Sequence, residues 1–307
     1  MQTQAEKQNI FTVKALFFDF KEITKAGLAV SVVFSSVAGF LLGIETVNLQ
    51  TFYTLILLAI GGYCMVGASN AFNQIIEKDL DALMDRTKNR PIPSGRMSVT
   101  KAFIVATLMT LLGLAILYSI NEQTAMFGAI SIFLYTCAYT PLKTITPLSV
   151  FVGAFPGAIP FMLGWVAATG HFGIEAGTLF LIQFFWQFPH FWAIGWFLYD
   201  DYQKAGCFML PSGKRDQSTA TQTILYTIWL IVASLLPAVL PYVAPLSKLY
   251  LSIPAAVVTL LLGGWMLMAA INLYKLRTAQ SAKKLMLVSV GYITLLQFVY
   301  VIDKFLR

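Results

Sequence analysis

Nine runs of roughly 20 apolar residues occupy most of this chain, and each is long enough to carry a helix across the hydrocarbon core of a bilayer. They fall at about 26–44, 52–73, 102–120, 124–141, 148–170, 177–199, 223–245, 249–274 and 285–303, the fourth being short and ending in Thr140-Pro141. A β-barrel would need short segments alternating apolar and polar residues, whereas stretches such as LILLAIGG and VVTLLLGGW are apolar throughout. The expected fold is therefore an all-α integral membrane protein with nine transmembrane helices. Composition agrees: of 307 residues 58% are hydrophobic and 11% charged, where soluble domains have about half and about a quarter. These figures exclude a water-soluble enzyme and a disordered chain, and three cysteines exclude a disulfide-built scaffold.

Basic residues set the orientation, because Lys and Arg are enriched on the cytoplasmic side. With nine spans, one side receives 18 of the 21: Lys7, Lys14, Lys21, Lys25, Lys78, Arg86, Lys88, Arg90, Arg96, Lys101, Lys143, Lys204, Lys214, Arg215, Lys275, Arg277, Lys283 and Lys284. Only Lys248, Lys304 and Arg307 fall on the other. The N-terminus is expected in the cytoplasm and the C-terminus outside. The net charge of +7 then follows from topology and a polyanionic ligand, with no nucleic acid. Residues 1–25 mix acids and bases and lack both the apolar core of a signal peptide and the acid-poor composition of a transit sequence. The expectation is a single membrane-embedded domain over 1–307, with 1–25 a cytoplasmic segment, in a bacterial inner membrane.

The 14 acids are clustered. Glu77, Asp79, Asp81 and Asp85 follow the second run; Asp200 and Asp201 follow the sixth, four runs later. That spacing predicts two pseudo-repeated four-helix halves plus a C-terminal helix, with a site at the cytoplasmic ends. Asn73, Glu77 and Asp81 stand at i, i+4 and i+8, so a helix continuing past the boundary aligns three oxygen ligands on one face while Asp79 points away. Oxygen ligands of this kind suit Mg²⁺ completed by phosphate oxygens. The plainer reading is a solvated helix end whose acids pair with Lys78 and Arg86.

Directly afterwards come Arg86, Lys88, Arg90 and the turn Pro91-Ile92-Pro93-Ser94-Gly95, and the fourth connection adds Lys143. Topology alone accounts for such bases; a carboxylate-bound metal ringed by Arg and Lys is also an arrangement that holds a diphosphate and stabilises it as it leaves. The sixth run carries Gln183, Gln187 and His190 on one helical face beside Pro189. His190 is open to three roles: packing, ligation of haem iron, or proton transfer. In the fifth run Gly153, Gly157 and Gly164 permit close helix approach, and Pro156 and Pro160 interrupt the backbone.

Taken together, N-x-x-x-[DE]-x-x-x-D at Asn73, Glu77 and Asp81 and RTKNRPIPSG from Arg86 to Gly95 resemble the UbiA-type membrane prenyltransferase superfamily, which includes 4-hydroxybenzoate polyprenyltransferase. YTPLKTITPLSVFVGAFPGAIPFMLGW from Tyr139 to Trp165, WQFPH from Trp186 to His190, and DYQKAG from Asp201 to Gly206 resemble its protohaem IX farnesyltransferase branch. The resemblance covers nearly the whole chain. It implies farnesyl diphosphate and haem b as substrates, haem O and diphosphate as products, and Mg²⁺ as cofactor. It implies Asn73, Glu77 and Asp81, with Asp200 and Asp201 opposite, as metal ligands, and Arg86, Arg90, Lys143 and Lys204 as diphosphate-binding residues. His190 becomes the candidate for positioning haem or handling water, and a haem A synthase or terminal oxidase a candidate assembly partner. Glu77 stands where many relatives have Asp. The second cluster lacks the D-x-x-x-D of quinone-pathway relatives, having Leu198 and Tyr202 at those places, which argues for haem over a small aromatic acceptor. A sister prenyltransferase and a haem transporter are the competing readings; acids at helix ends rather than at the bilayer midplane argue against transport.

Overall fold

The computed structural model describes residues 15–307, so Lys7 and Lys14 lie outside the described residues. Every regular element among them is helical, and nine helices are long. After a helical segment over 15–23 come α1 (Ala26–Gly43), α2 (Leu49–Ile76), α3 (Val99–Ile120), α4 (Glu122–Leu142), α5 (Ser149–Thr169), α6 (Ile174–Phe197), α7 (Gln217–Val243), α8 (Ile253–Leu276) and α9 (Ala279–Leu306). Several start earlier than the apolar runs. Asp216 caps α7 by accepting the Thr219 amide, and Thr278 caps α9 through a reciprocal pair with Ser281. Hydropathy detects the part of a helix that suits lipid, whereas capping residues extend it into the polar zone.

Eight of the nine are long and apolar enough to cross a membrane; α6 is the exception. Its Gln183, Gln187, Pro189 and His190 lower its hydropathy, and Gln183 and Gln187 are buried against protein. Yet α6 runs the full depth of the bundle. Glu175 at its start accepts the Lys248 amide at 3.1 Å, at the end where Lys248 also pairs with Glu45. The acids Asp200 and Asp201 follow its other end, in the short helix Tyr199–Lys204.

Large apolar side chains on the outer surface, among them Leu108, Leu111 and Leu112 of α3, are more than half exposed, a patch a water-soluble monomer would not carry. The chain is a multi-pass membrane protein. Helices α1 to α5 pack as a ring, α6 to α9 as a second ring, and α5 joins them by contacting both α1 and α6. The α1–α5 crossing is close because position 164 is glycine. A β-carbon there would lie 1.9 Å from the Ser36 carbonyl oxygen and 2.5 Å from the Phe40 nitrogen.

The ends of α2 and α6, four helices apart, share one local device. Helix α2 stops at Glu77 (φ −92°, ψ 11°) and α6 at Leu198 (φ −100°, ψ 16°), and each is followed at once by a six-residue helix, Lys78–Leu83 or Tyr199–Lys204. Counted from the two breaks, Glu77 corresponds to Leu198 and Asp81 to Tyr202. Those are the positions where the second acid cluster departs from the first.

Candidate active site

Despite the break at Glu77, the backbone keeps its i to i+4 bonding: the Glu77 amide donates to Asn73 O at 2.9 Å and the Asp81 amide to Glu77 O at 2.7 Å. The stripe therefore survives, with Asn73, Glu77 and Asp81 at 1, 6 and 0% exposure. Buried carboxylates must be matched by charge or hydrogen bonds. Arg90 Nη1 donates to both Asp81 oxygens at 2.8 and 2.7 Å. Lys143 Nζ lies 2.7 Å from Glu77 Oε1, held by charge rather than by hydrogen-bond alignment. Lys25 Nζ donates to Asn73 Oδ1 at 3.2 Å.

Lys25 was visible in the sequence only as one more topological base. It occupies the left-handed region (φ 47°) at the N-cap of α1, a conformation that costs a non-glycine residue about 1 kcal/mol or more. Burial, then the nearby Arg90 and Lys143 charges, pull its ammonium down to about 7. For Lys143, burial opposes the charge, and Tyr139 and Glu77 more than offset it, holding the group above the ordinary lysine range. Tyr139 also offers its ring face to Lys143 at 4.6 Å.

The sequence around Thr140-Pro141 hid a local feature. Proline lacks an N–H and its ring crowds the carbonyl one turn back. Here α4 widens into a π-helix over Leu134–Tyr139 just before Pro141, an irregularity common at functional sites. Thr140 is thereby placed to accept from Asn73 Nδ2 at 3.3 Å while its hydroxyl donates to Tyr135 O. Room for the Tyr139 ring comes from Gly153, where a β-carbon would lie 2.5 Å from it.

The second acid cluster divides. Asp201, with a side chain 15% exposed, reaches across the bundle and accepts the Asp85 amide at 2.8 Å and the Arg86 amide at 3.3 Å. It ties the α6 end to the loop after α2. Asp200 is 82% exposed and pairs with Arg215 at 3.0 Å. Among the described residues no three His, Cys, Asp or Glu side chains converge closely enough to hold a metal ion. The hard-oxygen set here is Asn73 Oδ1 with the Glu77 and Asp81 carboxylates, which fits a divalent cation that takes the rest of its shell from water or phosphate.

Of the remaining bases, Arg86 is exposed and lies over the Tyr202 ring. Lys204 pairs with Asp85 and stands 3.5 Å from Asp201. The Lys204 and Lys88 hydrogen bonds hold the Asp85 carboxyl down at about 2. Arg96 is bound to Asp19 and Glu22, fastening the segment before α1 to the same loop. Deeper in the bundle, His190 stacks on Trp186 at 4.6 Å, and its Nδ1 lies 2.8 Å from Ser289 Oγ of α9.

Residues 31–296 match the model of the UbiA prenyltransferase family. The protoheme IX farnesyltransferase of Flavobacterium psychrophilum is 71% identical over 96% of this chain and 97% of its own.

The chain belongs to the UbiA prenyltransferase family, in its protohaem IX farnesyltransferase branch.

The branch reaches well beyond close relatives, since the protoheme IX farnesyltransferase of Cytophaga hutchinsonii is 39% identical over 94% of this chain and 98% of its own. Two solved structures share the family fold. One is of digeranylgeranylglyceryl phosphate synthase (TM-score 0.76, 15% identity, 95% of this chain and 99% of that one). The other is a UbiA homologue from Archaeoglobus fulgidus bound to GPP and Mg²⁺ (TM-score 0.65, 16% identity, 92 and 99%). At such identities the likeness concerns the fold alone. The family match starts at residue 31, beyond Lys25, although Lys25 reaches the acid stripe from outside it.

Proposed function

We propose that this protein transfers the farnesyl group of farnesyl diphosphate to a vinyl group of haem b, giving haem O and diphosphate. The observation that carries the reading is the pairing of buried acids with partly buried bases, Asp81 with Arg90 and Glu77 with Lys143, at the end of an apolar bundle. A metal–diphosphate brings both charges at once, so the acids can turn to the cation and the bases to the phosphate oxygens without leaving a charge uncompensated. The acceptor is proposed from the farnesyltransferase relatives.

Bound Mg²⁺ would supply Lewis-acid charge to the leaving diphosphate, with Asn73, Glu77 and Asp81 its first ligands and Asp201 the proposed ligand from the second cluster, Asp200 being turned away to Arg215. Arg86, Arg90, Lys143 and Lys204 are proposed to take the remaining phosphate charge. The allylic C–O bond breaks with its electron pair going to diphosphate; the vinyl π-pair forms the new C–C bond; water then adds to the porphyrin-side cation and gives up one proton. A small apolar cavity of about 40 Å³ lies between α1, α2, α4 and α5, lined by Val33, Met65, Val66, Ser69, Ile132 and Leu163. Ser69 stands one helical turn, about 6 Å, before Asn73, so the cavity marks where the prenyl chain is proposed to lie once the surrounding helices part to admit it, its diphosphate meeting the acids. The apolar side chains around it would keep water from the cation.

We place this site at the cytoplasmic side of a bacterial inner membrane crossed nine times, α6 included, with the C-terminus outside. The test is to incubate purified protein in detergent with haem b, farnesyl diphosphate and Mg²⁺, with and without chelator, and follow pigments by chromatography and mass. A haem product heavier by one hydroxylated farnesyl group, formed only with divalent metal, is expected. Prenylation of a hydroxybenzoate or naphthoate with haem left untouched would discard the acceptor, and failure with every acceptor would favour transport.

A further inference from the structure

We infer that Ser289 is a positioning residue that holds His190 as its Nδ1–H tautomer, leaving the Nε2 lone pair to coordinate the iron of the haem substrate. The inference rests on the haem reading proposed above and deepens it.

Two contacts converge on one hydroxyl. Ser289 is fully buried, its Oγ lies 2.7 Å from Met286 O within α9, and His190 Nδ1 lies 2.8 Å from the same Oγ. A serine hydroxyl has one proton and two lone pairs, and the Met286 carbonyl can only accept. The arrangement that makes both contacts hydrogen bonds sends the serine proton to Met286 O and has Nδ1–H donate to Oγ. The opposite tautomer would spend the serine proton on Nδ1 and lose the bond to Met286 O. The imidazole proton is therefore on Nδ1, and Nε2 carries the lone pair. Among the described residues no hydrogen bond is made to Nε2.

A second pair of contacts fixes the ring plane. The Trp186 indole stacks on His190 with 19° between planes, and Trp186 Nε1 donates to Ser289 O at 2.6 Å. Both aromatic ends of the WQFPH segment are thus seated on a single α9 residue, one on its backbone and one on its hydroxyl. A histidine whose Nδ1–H is engaged by an oxygen and whose other nitrogen is unengaged is the arrangement that orients imidazole as a metal ligand. Simple packing of an amphipathic side chain would not require this division of protons. The same lone pair could accept a proton from water, and the iron-free porphyrin arm below separates that role from ligation.

The experiment titrates ferric haem b, and separately metal-free protoporphyrin IX, into the purified full-length protein in detergent, with absorption spectra recorded for wild type, His190→Ala, Ser289→Ala and Ser289→Thr. Binding of labelled farnesyl diphosphate, expected to be equal in all four, reports folding. Expected is a wild-type haem spectrum that His190→Ala abolishes. Ser289→Ala should weaken haem binding at least tenfold and alter the spectrum, Ser289→Thr should restore both, and metal-free porphyrin should bind all four alike. If Ser289→Ala matches wild type while His190→Ala does not, the positioning role is overturned and iron ligation stands. If His190→Ala leaves the haem spectrum unchanged, or weakens haem and metal-free porphyrin equally, iron ligation is overturned, while haem farnesylation is judged separately by the product assay.

Discussion

Arg90 meets Asp81 through one guanidinium nitrogen that lies 2.8 and 2.7 Å from the two oxygens of a fully buried carboxylate. Such a pair has surrendered its hydration and persists only while each partner is charged. Asp81→Asn keeps the side-chain shape and removes that charge. We expect turnover to fall by about 10² to 10³, the range seen when a group that stabilises developing charge is lost, in protein that still elutes as a folded species. Near-normal haem product from the folded variant would take Asp81 out of the reaction.

Glu77 and Lys143 stand 2.7 Å apart with side chains 8 and 11% exposed. Removing one charge from a buried pair typically costs about 3–5 kcal/mol because it strands the other. Lys143→Met should therefore be less stable than Glu77→Gln/Lys143→Met, although both should be inactive. Thermal unfolding in detergent checks the first statement, and a double variant less stable than the single one would show the pair to be uncoupled.

Asp201 accepts the Asp85 and Arg86 amides, so its carboxylate shapes the loop that carries Arg86 and Arg90. Asp201→Ala removes both acceptors. The 84–96 loop should then be cut several-fold faster by trypsin, and the KM for farnesyl diphosphate should rise. Unchanged cleavage and a normal KM would leave Asp201 to metal binding or to no role.

At position 164 a β-carbon has no room beside the Ser36 carbonyl. Gly164→Ala should force α1 and α5 apart at a cost of about 1–3 kcal/mol, the usual range for overpacking. The readout is a lower melting temperature in detergent; a melting temperature equal to wild type would mean that the two helices do not cross as described.

Helix α6 crosses the membrane if Phe172 and Gln203, both exposed, lie on opposite faces. Phe172→Cys and Gln203→Cys, each in a background with the three natural cysteines replaced by serine, should differ in labelling of intact cells by an impermeant maleimide. Only position 172 is expected to react. Equal labelling of both would confine α6 to one side.

Much of the site could be read from spacing. Asn73, Glu77 and Asp81 share a face because helical bonding repeats every fourth residue, and that bonding passes through the break at Glu77. Spacing was silent about the break itself, about the π-helix ahead of Pro141, and about Lys25, which looked like any other base near a membrane surface. It also could not separate Asp200 from Asp201. Adjacent residues on a short helix point different ways, so one reaches the Asp85 amide and the other faces Arg215.

What the sequence determined by itself was the medium and the secondary structure: apolar runs of this length lower their free energy in lipid, and a spanning segment must satisfy its own backbone, which makes it a helix. It also determined which residues carry charge and which of them share a helical face. Only the tertiary structure decided which base meets which acid and which serine meets His190. Lys25 with Asn73, Lys143 with Glu77, Asp201 with Asp85 and Ser289 with His190 each join residues far apart in the chain. Those contacts depend on the order and close packing of the helices, which side-chain shape sets and local periodicity does not encode.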